Sequence, residues 1–436
     1  MRFDTVIYNG IIVTMNPDAE IFENGLVCIR RGKIEKIFHT KPEIFPEAAE
    51  KIDARGGIVM PGLVNTHTHM PMTLFRGLAD DLPLDQWLNH HIFPAEAKHI
   101  NPESVRVGTM LACAEMLLSG ITTCCDGYFL EEYVAEAVQE MGIRAVLGHG
   151  IIDFPAPGIP NPAENVKTAL AFAEKWSNVS PLIRPSIFCH SPYTCSAETL
   201  KNAKSAANER GLLFQIHVSE TKAEKEQMIN LHGLSPVAYL DRLGIIDKNT
   251  LLVHCVWVDE KDIEIIAKRG ACISHNPESN MKLASGIAPV PQFLKAGITV
   301  GLGTDGCASN NNLDLFGEID TAAKLHKVST LNPTVMDAHT VLKMATIEGA
   351  KAIGLGDQIG SLETGKAADI VIVDTNQPHL TPMYDPVSHM VYAAQGSDVR
   401  DVMINGKRLV RNRELCRVNL VKILEKATEI GKRIFV

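Results

Sequence analysis

Between residues 58 and 327, short apolar runs alternate eight times with helix-patterned segments, and few architectures accommodate that order. Parallel strands cannot be joined by tight turns; they need crossovers of a dozen or more residues, which helices supply. The predicted strands cover 58–66, 121–126, 144–149, 183–189, 212–217, 250–254, 271–275 and 298–304. Helical periodicity covers 103–118, 131–141, 163–176, 197–210, 222–242, 259–268, 289–296 and 313–327. Eight strand–helix pairs are the inventory of a TIM-type (β/α)8 barrel, an α/β fold whose functional groups collect at the C-terminal ends of its strands. The flanks read differently. Residues 4–15, 26–37, 368–374 and 399–410 are short β-branched runs broken by Asn-Gly, Arg-Gly-Lys and Asn-Gly-Lys turns. Both termini are therefore expected to build one smaller β module, from residues 1–56 and 363–436, around a barrel domain of residues 57–362. Residues 419–433 read as a closing amphipathic helix.

Polar chemistry recurs where the predicted strands stop. The first leads into His67-Thr68-His69, the fifth ends in His217, the sixth in His254, and the eighth ends in Thr304 and is followed by Asp305. Side chains alternate across a strand, so His67 and His69 share a face and can reach one ion. A single His-x-His is more often two ordinary hydrogen-bonded histidines, but here it has company. Imidazole nitrogens and a carboxylate suit zinc, so His67, His69, His217 and Asp305 form a candidate ligand set with a further position for water. Glu220, three residues after His217, is a carboxylate placed for proton transfer beside such a water; by itself it would read as an acid near a helix N-terminus.

The formal charge of −9, with no run of Lys or Arg, argues against nucleic acid or an anionic membrane as partner. No uninterrupted apolar stretch is long enough to span a bilayer, and the opening Met-Arg-Phe-Asp-Thr-Val-Ile-Tyr-Asn-Gly does not read as a signal peptide, so a cytoplasmic protein is expected. Ten cysteines in 436 residues do not make a disulfide scaffold. Without a Pro-Cys-x-x-Cys, a cysteine-held zinc of the deaminase type is excluded.

Pro-Gly-Leu-Val-Asn-Thr-His-Thr-His (61–69), His-Val-Ser-Glu (217–220), Ser-His-Asn-Pro-Glu-Ser-Asn-Met-Lys-Leu (274–283) and Leu-Gly-Thr-Asp-Gly (302–306) occur in this order. Together they resemble the amidohydrolase superfamily, in the branch of 5′-methylthioadenosine/S-adenosylhomocysteine deaminases and related cytosine, guanine and triazine hydrolases. The resemblance covers nearly the whole chain and implies that the terminal β module is a composite β-sandwich. It also implies one divalent metal ion per chain, zinc before iron or manganese, held by His67, His69, His217 and Asp305. Relatives with two metals carry a lysine at the end of the fourth strand, where this chain has Cys189-His190-Ser191.

By the same resemblance, Glu220, His254 and Asp305 are the catalytic residues, and Trp87, Glu96, His190, Glu220 and Asp305 contact the substrate. The implied reaction is hydrolytic deamination of a 6-aminopurine nucleoside. One departure bears on specificity: relatives that use S-adenosylhomocysteine carry arginines after the third strand, whereas this chain has no arginine between Arg144 and Arg184. Phe154 and neighbouring prolines favour an apolar 5′ group, as in 5′-methylthioadenosine, 5′-deoxyadenosine or adenosine. The alternatives are deamination or dechlorination of a free base, pterin or triazine, and a noncatalytic binding barrel. Expected partners are the small nucleoside and further copies of the chain in a homo-oligomer. His149 and His275 have no assigned role.

Overall fold

The computed structural model describes residues 2–435. Its central element is an eight-stranded parallel sheet in which each strand pairs with the next in chain order. The strands are Leu63–Thr68, Ile121–Tyr128, Arg144–Ile151, Ile183–Cys189, Leu213–Val218, Thr250–His254, Cys272–His275 and Val300–Leu302. They are numbered here one to eight. The first and eighth meet through a side chain: Asn65 donates from Nδ2 to Thr304 Oγ1 at 2.8 Å and accepts from the Thr304 amide at 3.1 Å. The Asp305 amide then donates to the His67 carbonyl at 3.0 Å. The sheet thus curls into a barrel, with helices outside it and an interior partly filled by paired polar groups such as Thr66–Ser274 and Gln215–Ser186.

A second, mixed sheet of nine strands is built from both termini. Phe3–Val13 lies between Ile21–Arg30, to which it is antiparallel, and Ile58–Pro61, to which it is parallel. Ile58–Pro61 in turn pairs with Ile370–Val373. A bridge from Lys33 to Ala367 draws distant parts of the sheet together, so Ile7, Val27, Ile34, Ile52, Ile370 and Met403 share one apolar core. Both ends of the chain thus contribute to a mixed sheet separate from the barrel.

The predicted strand 58–66 is in fact two. Residues 58–61 belong to the mixed sheet and 63–68 to the barrel, with the break at Gly62. There the backbone passes so close to Thr122 that an added Cβ would lie 2.1 Å from its side chain. The predicted helix 222–242 also divides, into Lys222–His232 and Pro236–Arg242. Gly233 ends the first half in the left-handed conformation, φ 69°, its amide bonded to the Ile229 carbonyl, and Pro236 opens the second. The closing helix runs Leu420–Phe435. Among the described residues no helix is long and apolar enough to cross a membrane.

The two domains are tied by a buried ion pair. Arg144, at the start of strand three, donates Nε and Nη2 to the two oxygens of Asp369 at 2.7 and 3.1 Å, and the Asn405 amide donates to the same carboxylate at 2.7 Å. Removing only the cation strands a buried carboxylate, so Arg144→Met should cost ~3–5 kcal/mol. A urea midpoint unchanged from wild type would contradict this.

Candidate active site

Four side chains from three strand ends converge at the barrel mouth. His67 and His69 leave strand one on one face, His217 comes from strand five, and Asp305 follows strand eight. One ring nitrogen from each histidine lies within 4.8 Å of the other two. His67 Nε2 is 3.1 Å from His217 Nε2, and Asp305 Oδ1 is 3.5 Å from His67 Nε2 and 3.3 Å from His69 Nε2. His69 Nδ1 donates to the Gly127 carbonyl at 2.6 Å. A carbonyl can only accept, so in the neutral ring Nε2 is the bare lone pair, and it points into the cluster.

The electrostatics suit a cation. Burial pulls His67 down to about 4 and, with the neighbouring histidines, holds His217 well below the usual imidazole range, so both rings are neutral near pH 7. Burial acts the same way on His69, but the hydrogen bond and charge of Asp305, backed by Asp126, outweigh it and push His69 up to about 9. Burial also opposes ionisation of Asp305, yet the two histidines bonded to it and the charge of His69 hold it well below the usual carboxylate range. Its far oxygen, Oδ2, accepts from Ser279 Oγ at 2.7 Å and Ser309 Oγ at 2.9 Å, which leaves Oδ1 toward the histidines. Three imidazoles and an ionised carboxylate, gathered where positive charge is favoured, fit zinc and also iron or manganese.

Glu220 and His254 stand beside this cluster. His254 Nε2 is 3.8 Å from a Glu220 oxygen, and His254 Nδ1 donates to Asn280 Oδ1 at 2.9 Å. The Glu220 side chain is 13% exposed, and burial raises its pKa, so it keeps a proton to higher pH than a free glutamate. Trp87, Glu96, His190, Glu220, His254 and Asp305 all line one cavity, together with His69 and His217. Trp87 and Glu96 come from helical turns inserted after strand one. His190 follows strand four and its Nδ1 bonds Thr194 Oγ1 at 3.0 Å. Phe154 lies further out, packed edge-to-face on Phe93 at 5.6 Å, in a wider vestibule that adjoins the cavity.

Known proteins share this arrangement of domains. Residues 58–409 match the Amidohydrolase family. The chain belongs to that family. It is 48% identical over 435 residues to a 5-methylthioadenosine/S-adenosylhomocysteine deaminase of Syntrophobacter fumaroxidans, covering 99% of each chain. It is 47% identical to a 5′-deoxyadenosine deaminase of Methanosarcina mazei, covering 99% of this chain and 98% of that one. The crystal structure of an adenosine deaminase from Xanthomonas campestris with bound zinc superposes with a TM-score of 0.96 at 38% identity, covering 99% of each chain.

Several groups in this amidohydrolase site escape a reading of strand-end motifs. Tyr128 lies two residues beyond the predicted end of strand two; it lines the cavity and donates its hydroxyl to Glu96 Oε1 at 2.5 Å. Ser309 follows Asp305 by four residues, the spacing of one helical turn, and that spacing was the available signal for its bond to the carboxylate. Ser279 and Asn280 sit inside the 274–283 string, but nothing in their spacing says which site residue each one meets. His149 and His275 do not line the cavity: His149 is buried in strand three, and His275 Nε2 bonds His326 Nε2 at 3.1 Å.

Burial pushes Glu96 up to about 7, although the Tyr128 hydroxyl pulls the other way by stabilising the carboxylate. Tyr128→Phe removes that donor, so the Glu96 midpoint should move above about 7. Carbon-13 NMR of labelled glutamate would follow the titration; a midpoint that stays put or falls would refute the assignment.

Proposed function

We propose that this amidohydrolase is a metal-dependent deaminase of 6-aminopurine nucleosides that favours 5′-methylthioadenosine, 5′-deoxyadenosine or adenosine over S-adenosylhomocysteine. The observation that carries the reading is the convergence of three imidazoles and Asp305 at the barrel mouth, beside the separate, proton-holding Glu220 that lines the same cavity as His69, His217 and Asp305. The deaminase names of relatives at 47–48% identity support it. His67, His69, His217 and Asp305 would hold one divalent ion, zinc first among the metals that suit them. When bound, such an ion lowers the pKa of water toward ~7 and so supplies a nucleophile at neutral pH.

The chain's own groups manage the protons. Glu220 donates to the purine N1, which weakens the aromatic ring's resistance to addition at C6. Asp305 accepts the proton lost by the attacking water, and its Ser279 and Ser309 bonds keep Oδ1 turned to that task. His254, with Nδ1 committed to Asn280, presents Nε2 to orient the water and to stabilise the oxygen that becomes the product carbonyl. The exocyclic amine leaves as ammonia with a returned proton; water and the 6-aminopurine give the 6-oxopurine and ammonia. Glu96 accepts from the ribose hydroxyls, Trp87 covers the nucleoside, and His190 contacts the base. The proposal extends to a cytoplasmic, homo-oligomeric enzyme, which fractionation and light scattering would check.

Incubating metal-loaded protein with a panel of 6-aminopurine nucleosides and free bases, while following ammonia and the ultraviolet change to the 6-oxo product, tests the reaction. Turnover confined to free bases or triazines would overturn it. Elemental analysis should find close to one divalent ion per wild-type chain and little after His67→Ala with His217→Ala; two ions per chain would contradict the ligand set. Glu220→Gln should keep the metal and lose most turnover, because the amide preserves shape but carries no acidic proton, and near-normal kcat would remove Glu220 from the chemistry.

The missing arginine sets the specificity. Charge-assisted bonds to a carboxylate contribute ~1.5–3 kcal/mol. Near the vestibule, Lys282 is already paired with Asp80 and Lys222 lies beside Glu226. S-adenosylhomocysteine should therefore show a kcat/KM at least ~10-fold below that of 5′-methylthioadenosine. Equal efficiency would locate a carboxylate contact elsewhere.

A further inference from the structure

The turn that carries Glu220 is held from outside the cavity by a second glutamate. Ser219, between His217 and Glu220, adopts a left-handed backbone with φ 53°, a conformation that a serine keeps only when its surroundings fix it. Glu224, buried in the first turn of the helix Lys222–His232, supplies that constraint. Its Oε1 accepts from the Ser219 amide at 2.8 Å and its Oε2 from the Glu220 amide at 2.7 Å. The other side of the turn is tied as well: the Ser219 carbonyl accepts from the amides of Val256 and Trp257 at 3.0 and 2.8 Å, just beyond His254.

This is not ordinary helix capping. Thr221 is the N-cap and accepts from the Glu224 amide at 3.1 Å. In a capping box the glutamate at this position would return the bond to the N-cap's own amide. Here the carboxylate passes over Thr221 and takes the two preceding amides, one oxygen each, in the strand-to-helix connection that aims Glu220.

We infer that Glu224 is a positioning residue for Glu220, acting through the two backbone amides it clamps; the inference rests on the proton-transfer role assigned to Glu220 above. Two carboxyl oxygens, each accepting from one of two adjacent N–H groups, fix both the peptide plane at Ser219 and the point from which the Glu220 side chain departs. Glutamine at 224 would keep the shape and one acceptor, but its amide nitrogen would face an N–H donor. The turn would then lose one hold, while the metal ligands keep theirs.

The test is a double-mutant cycle on metal-loaded protein: wild type, Glu224→Gln, Glu220→Gln and both together. Glu224→Gln should lower kcat ~10-fold with KM within ~2-fold, whereas adding it to Glu220→Gln should cost less than ~2-fold, because the residue it positions is already disabled. Metal content by elemental analysis should stay at the wild-type value. Independently of turnover, hydrogen exchange at the Ser219 and Glu220 amides should quicken by ~10-fold in Glu224→Gln, in metal-free protein as well as loaded. Equal losses in both backgrounds, or wild-type exchange at these amides, would overturn the inference. If Glu220→Gln itself turns over normally, the failure lies with the proton-transfer role rather than with the clamp.

Discussion

The site depends on how the barrel closes. Strand eight reaches strand one through the Asn65 side chain and through the bond from the Asp305 amide to the His67 carbonyl. Asp305 is 238 positions from His67 in the chain, yet that one backbone bond sets its carboxylate beside both histidines of strand one. Strand five brings His217 from across the barrel, so no two neighbouring strands could assemble the cluster alone. Gly303 makes the approach feasible: a Cβ there would sit 2.4 Å from Asn276 Oδ1 and 2.9 Å from the His67 amide.

Around this closure, the backbone accepts strain at the points where chemistry leaves the strands. Ser219, His254 and Asp305 have φ of 53°, 75° and 62°, the left-handed region that non-glycine residues seldom occupy. Each is over-determined by bonds formed elsewhere: Glu224 and the Val256 and Trp257 amides at Ser219, Asn280 at the His254 ring, Ser279 and Ser309 at the Asp305 carboxylate. Distorted residues at strand ends aim side chains across the mouth in directions that an undistorted strand would not provide. The surrounding hydrogen bonds offset the cost and limit the number of orientations each group can sample, which is what the proposed proton transfers require.

Much of this was legible because the signals were local. Alternation of apolar runs and helical periods described the barrel, and histidines at the ends of those runs marked its functional face. The resemblance then named roles for Glu220, His254, Trp87, Glu96 and His190. Reading failed where a feature depended on a distant neighbour. The strand 58–66 reads as continuous because residues 58–64 carry no polar side chain, but its first half is buried in the mixed sheet and its second in the barrel. Tyr128 was missed because its role comes from Glu96, on a helix thirty-two positions earlier in the chain.

By itself, then, the sequence determined the order of elements, the two-part architecture and the kinds of donor available for a metal, since periodicity and residue type are properties of short stretches. Only the tertiary structure decided which of those donors meet, which ring nitrogen each histidine presents, and which carboxylates are ionised. Those outcomes are set by burial and by partners that are remote in the chain. Asp305 is held ionised by the histidines around it, while Glu220 and Glu96, carboxylic acids like it on paper, are pushed toward the protonated form by burial.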